Sequence, residues 1–130
     1  MARILVIEDN QQNMYLTLFL LKKREHEVIE AFDGPGGIVS AKTERPDLIL
    51  LDIQLPKMDG YAVAAALKGD PELTTIPIVA VTSYAMSGDR ERILEVGCEG
   101  YIEKPINPET FVSQIEEFLP ADASAHRGEK

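Results

Sequence analysis

Short apolar runs recur along the chain, and their length decides the fold class before any motif does. ILVI (residues 4–7), LILL (48–51) and IVAV (78–81) show no polar alternation, and YI (101–102) is a weaker fourth run. Strands covered on both faces lose the in–out alternation of a half-exposed sheet, so these runs predict the buried strands of a parallel sheet. EVIEA (27–31) alternates and reads as an outer strand. The segments between them carry helical periods. Met14, Leu18 and Leu21 recur at i, i+4 and i+7, with Asn10 placed to cap them. Residues 61–68 predict an alanine-rich helix closed by Gly69, and residues 90–96 another closed by Gly97. Asn107-Pro108 supplies an N-cap and a first-turn proline ahead of the stripe Phe111, Ile115, Phe118 and Leu119. PGGIVSAK (35–42) has to be the second helix, although glycine costs a helix about 1 kcal/mol per residue. The pattern is a strand–helix unit used five times, an α/β fold with a doubly wound parallel sheet.

Composition narrows the possibilities. The 130 residues fit one domain, and 45% hydrophobic with 27% charged residues is ordinary for a globular protein. No apolar run approaches the roughly 20 residues of a membrane-spanning helix, and the N-terminus does not read as a signal peptide. A single cysteine, Cys98, leaves no internal disulfide, which agrees with a cytoplasmic protein. The net charge of −9 opposes binding to a phosphate backbone. Residues 120–130 lack periodicity and read as a flexible tail after a domain at 1–119.

In open α/β sheets, chemistry sits beyond the C-terminal ends of the strands. Those ends carry Glu8-Asp9, Asp52, Thr82-Ser83 and Lys104-Pro105. Three carboxylates raise one another's pKa unless cations neutralise them, and one lysine cannot balance three. An all-oxygen cluster suits a hard divalent ion such as Mg²⁺. A carboxylate beside such an ion and a lysine is equipped to accept a phosphoryl group. Asp52, at the end of an otherwise apolar strand, is the candidate nucleophile.

The segments IEDN, LLDIQLPKMDG, AVTSYA and YIEKP, in this order and spacing, resemble the receiver domain of two-component response regulators. The wording is most similar to single-domain, DivK-type cell-division regulators. The resemblance covers residues 2–119 and implies a flavodoxin-like sheet of order 2-1-3-4-5. It implies Asp52 as the phosphoacceptor, and Mg²⁺ held by Glu8, Asp9, Asp52 and the Gln54 backbone carbonyl. Thr82 and Lys104 would contact the phosphoryl group, Tyr101 would be the switch aromatic, and the Lys104–Pro105 bond would be cis. Partners would be a histidine kinase or histidine phosphotransfer protein and a downstream signalling protein, with no nucleic acid and no membrane insertion. Such a chain is a switch in two-component signalling, with only limited autophosphorylation and autodephosphorylation, and not an enzyme in its own right. Glu8 stands where many receivers carry aspartate, and GPGGIV is an unusual second helix.

Other readings remain in view. The chain would equally serve as a receiver module within a larger hybrid kinase or effector. A Mg²⁺-dependent phosphohydrolase of the haloacid-dehalogenase kind needs a D-x-D on its first strand, which is lacking here. A nucleotide- or flavin-binding module needs a phosphate cradle at the first strand–helix turn, where EDNQQN offers carboxylates. Asp59-Gly60 reads as a turn and helix start. His26 and His126 are read as having no acidic or metal company at a site, and Cys98 reads as a small buried residue. Tyr15, Leu16, Phe19 and Leu20 exceed what one core stripe requires, so the first helix offers either a wide core face or a docking surface.

Overall fold

The computed structural model describes residues 2–83 and 87–120. The predicted tail, apart from Pro120, and Tyr84 lie outside these residues. Five strands, β1 (Arg3–Ile7), β2 (Glu27–Ala31), β3 (Leu48–Asp52), β4 (Ile78–Thr82) and β5 (Gly100–Glu103), alternate with five helices. The helices are α1 (Gln11–Lys23), α2 (Gly34–Glu44), α3 (Gly60–Lys68), α4 (Ser87–Glu95) and α5 (Phe111–Glu116). All strand pairs are parallel, in the order β2-β1-β3-β4-β5. The order reverses between β1 and β3, so the open ends of these two strands face a common crevice.

Two cores flank the sheet. Leu5, Ile7, Ile49, Leu51, Ile78 and Ala80 pack on one face with Ala41, Val63, Leu67 and Ile93 of α2, α3 and α4. Ile4, Val6, Leu48, Leu50 and Val79 pack on the other with Met14, Leu20 and Leu21 of α1 and Phe111, Val112 and Ile115 of α5. Successive residues of β1 therefore feed opposite cores, which is why its sequence is apolar throughout. The edge strand β2 keeps Glu27 and Glu30 exposed, one on each face, with Val28 and Ile29 half-buried between them, as suits an outer strand.

Helix caps follow the expected residues. Asn10 accepts from the Asn13 N–H at 2.9 Å, and Asp59 accepts from the Ala62 N–H at 2.9 Å, which makes Asp59-Gly60 a helix start. Gly97 closes the α4 turn with φ +104°, the left-handed region glycine enters without penalty. Asn107 nucleates the approach to α5: its carbonyl accepts from Phe111 N–H at 2.9 Å and its side chain from Glu109 N–H at 2.9 Å. The regular helix starts later than the proline suggests.

The glycines of α2 have a packing reason. A Cβ on Gly37 would collide with the Ile7 side chain, and one on Gly34 would come within 2.7 Å of Val63 Cγ2. The helix gives up propensity to lie close against β1 and α3. In α1, Thr17 and Leu20 are buried while Leu18 is only partly covered, so the buried stripe is rotated from the 14-18-21 expectation. His26 is a second correction. Its ring is buried, with Nδ1 accepting from the Ala2 N–H at 3.0 Å and Nε2 2.8 Å from Glu116 Oε2. Glu116 also pairs with Arg24 at 2.6 Å, tying α1, β1 and α5 at the bottom of the sheet. The carboxylate that meets the His26 ring comes from 90 residues away in sequence.

Candidate functional site

The backbone ladder continues past the strand ends and carries the functional side chains with it. Glu8 N–H donates to the Ala31 carbonyl at 3.0 Å, and Lys104 N–H donates to the Thr82 carbonyl at 2.8 Å. Ile53 N–H donates to the Val81 carbonyl at 3.1 Å, which fixes the loop just after Asp52. The start of α3 presses on the same loop. A Cβ on Gly60 would lie 2.8 Å from the Asp52 carbonyl oxygen, and Gly60 N–H bonds the Ile53 carbonyl at 3.0 Å. Only glycine permits this approach, so helix packing holds the Asp52 backbone in place.

Glu8, Asp9 and Asp52 converge, each offering a carboxylate oxygen within 4.8 Å of the others. Glu8 and Asp52 are buried and Asp9 is exposed. Lys104 Nζ lies 3.3 Å from Asp52 Oδ2 and 3.5 Å from Glu8 Oε1. The remaining oxygens are also held: Asp52 Oδ1 accepts from Gln54 N–H at 3.0 Å, and Glu8 Oε2 accepts from Asn10 N–H at 3.1 Å. Thr82 is fully buried at the end of β4, and its Oγ1 accepts from Gln54 Nε2 at 2.9 Å. Tyr101 is half-buried on β5, with the Arg90 guanidinium 5.5 Å above its ring. The Lys104–Pro105 peptide is cis.

The charge balance is unfavourable as it stands. Burial and the neighbouring Asp52 carboxylate push the Glu8 carboxyl up to about 7, against the opposing pull of the Asn10 N–H and Lys104. A carboxyl raised this far is partly protonated near neutrality, so the cluster is short of positive charge. A cluster of three carboxylates, without cysteine or histidine, fits a hard divalent ion that replaces this proton. Cys98 plays no part, because burial raises its thiol to about 12.

The apolar excess on α1 divides into two surfaces. Leu16 lines a hollow with Pro105 and Ile106 beside Glu8 and Lys104. Tyr15, Leu18 and Phe19 instead line a groove of about 790 Å³ with Phe32, on the side of β2. The Gln54 side chain, which bridges to β4, was not legible as a functional group. Its position two residues after Asp52, in the loop beside the end of β4, was the available clue.

Three comparisons place the chain among known proteins. The model of the response regulator receiver domain matches residues 4–116. The polar-differentiation response regulator DivK of Brucella anthropi is 45% identical over 116 residues, covering 89% of this chain and 94% of that protein. The protein of the same name from Brucella ovis is 44% identical over the same length. Among solved structures, the Vibrio cholerae chemotaxis protein CheY4 superposes with a TM-score of 0.87 at 27% identity, over 92% of this chain and 99% of that one. The receiver domain of the Pseudomonas aeruginosa sensor histidine kinase PA1611, 31% identical, has a TM-score of 0.83 over 90% of this chain and 96% of that one. That domain carries a magnesium ion coordinated in its active-site cleft.

Proposed function

The chain belongs to the response regulator receiver family, and from that premise we propose that Asp52 accepts a phosphoryl group in two-component signalling. The observation that carries the reading is the buried Asp52 carboxylate, held by Lys104 at 3.3 Å and by the Gln54 N–H at 3.0 Å. An Asp52 oxygen bonds to phosphorus as the donor's P–N bond breaks, and the released imidazole takes up a proton. The donor is a histidine kinase or histidine phosphotransfer protein; His26 of this chain is sealed by Ala2 and Glu116. Lys104 neutralises a phosphoryl oxygen, and Thr82 donates its hydroxyl to another once it leaves its present position. Glu8, Asp9, Asp52 and the Gln54 carbonyl would hold Mg²⁺, which supplies the remaining neutralisation between carboxylate and phosphoryl oxygens. Tyr101 follows Thr82 inward and changes the α4–β5 surface that a downstream protein reads. The hollow formed by Leu16, Pro105 and Ile106 suits the donor helices, because it borders Lys104 and Glu8.

We read the chain as a cytoplasmic regulator with a receiver domain at residues 1–119, acting in polar differentiation as the DivK relatives' name suggests. No described helix is long and apolar enough to cross a membrane. Intact-mass spectrometry after incubation with acetyl phosphate tests the reading. One phosphoryl adduct is expected with Mg²⁺ and none in its absence; wild-type protein that stays unmodified in both contradicts it.

The pH dependence follows from Glu8. Its carboxyl, raised to about 7, must lose its proton before a cation binds. Apparent Mg²⁺ affinity should therefore climb with pH, by up to about tenfold per unit below about pH 7, and level off above it. Calorimetric titrations on either side of neutrality check this, and Glu8→Gln should flatten the profile. A wild-type affinity that does not change between about pH 6 and pH 8 would rule out proton displacement from Glu8.

A further inference from the structure

The Gln54 side chain does more than follow Asp52 in sequence. Its amide crosses from the loop after β3 to the end of β4 and makes two bonds there. Nε2 donates to Thr82 Oγ1 at 2.9 Å, and Oε1 accepts from the Ser83 N–H at 3.2 Å. The pair fixes the amide orientation, since exchanging nitrogen and oxygen would set a donor against the Ser83 N–H. The base of the side chain is equally constrained, because the Gln54 N–H is bonded to Asp52 Oδ1 at 3.0 Å. One residue thus links the nucleophilic carboxylate to the hydroxyl and backbone of the neighbouring strand end.

We propose that the Gln54 amide is a latch on Thr82, holding its hydroxyl in the unphosphorylated position and opposing its movement toward a phosphoryl group on Asp52. This rests on the reading of Asp52 as phosphoacceptor. Thr82 is fully buried and branched at Cβ, so its Oγ1 moves only by rotation about χ1 or by a shift of the end of β4. Either motion breaks the bond from Nε2, and a shift of the strand end strains the bond to Ser83 as well. Gln54 is half-buried, so its freed amide meets water on release and the latch is reversible. Gln54 acts through Thr82 as a positioning residue that sets how far the equilibrium favours the resting state.

Gln54→Met keeps the length of the side chain and removes both polar ends. The experiment is an NMR titration with beryllium fluoride, a phosphoryl mimic, in saturating Mg²⁺, on wild type, Gln54→Met, Thr82→Ala and the double variant. Amide spectra verify the fold of each. Loss of the latch should tighten beryllofluoride binding about fivefold when Thr82 is present, the scale of one neutral hydrogen bond, and should leave it unchanged when Thr82 is alanine. A Gln54→Met protein that binds no tighter than wild type overturns the latch. So does an equal gain in the Thr82→Ala background, which would place the effect outside the hydroxyl. Wild-type protein that takes up no beryllofluoride at all would instead overturn the phosphoacceptor reading beneath it.

Discussion

Lys104→Met should slow phosphorylation of Asp52 by acetyl phosphate about a hundredfold, the scale seen when one preorganised charge partner is removed from a developing anion. The ammonium stands 3.3 Å from Asp52 and 3.5 Å from Glu8, and its side chain is largely sheltered from solvent. Among the described residues it is the cation that pairs with the cluster Glu8, Asp9 and Asp52. Methionine fills similar space without charge, so the fold should survive. The same substitution should strengthen Mg²⁺ binding, because a positive charge next to the ion's site has gone. Opposite movements of the two quantities separate lost chemistry from lost structure. Initial rates by intact mass and Mg²⁺ titration of the same preparation provide both, and a near-wild-type rate would remove Lys104 from the mechanism.

The largest effect on stability should come from Phe111→Ala, about 3–5 kcal/mol. Phe111 is 1% exposed and packs in the core formed by α1, α5 and one face of the sheet. Stabilities of single domains are about 5–15 kcal/mol, so the loss is a large share and should appear as a lower urea midpoint. Phe111 also sits directly beneath the site: with Val6, Thr17 and Leu50 it lines a small cavity that reaches Glu8 and Asp52. Removing the ring admits water to that floor and eases the burial that raises Glu8. The Glu8 titration should therefore move down from about 7 toward the ordinary carboxylate range. A destabilisation below about 1 kcal/mol would mean that the core closes over the gap.

These two residues show how legibility was distributed along the chain. Phe111 heads an apolar stripe, and stripes are visible because burial imposes a period on the sequence. The strands were legible for the same reason, and their order and parallel pairing stand in the structure as the resemblance implied. Lys104 was legible through a rule of topology, that parallel strand ends meet at one crevice. What periodicity cannot encode is a contact between residues far apart in sequence. The His26–Glu116 pair joins positions 90 residues apart, and no local pattern links them. The Gln54 amide was hidden for another reason: its backbone had a suggested role, but the direction of a flexible side chain is set by Thr82 and Ser83 on a different strand. The α2 glycines looked like a local fault, and their cause lies in Ile7 and Val63 on other elements.

The direct test of the account is to locate the phosphoryl group. Borohydride reduction converts an aspartyl phosphate to homoserine, and peptide mapping after exposure to acetyl phosphate and Mg²⁺ identifies the converted residue. Homoserine at position 52 alone, absent from Asp52→Asn, is the predicted result. Conversion of Glu8 or Asp9 instead, or an adduct that persists in Asp52→Asn, would contradict the assignment of Asp52 as the acceptor.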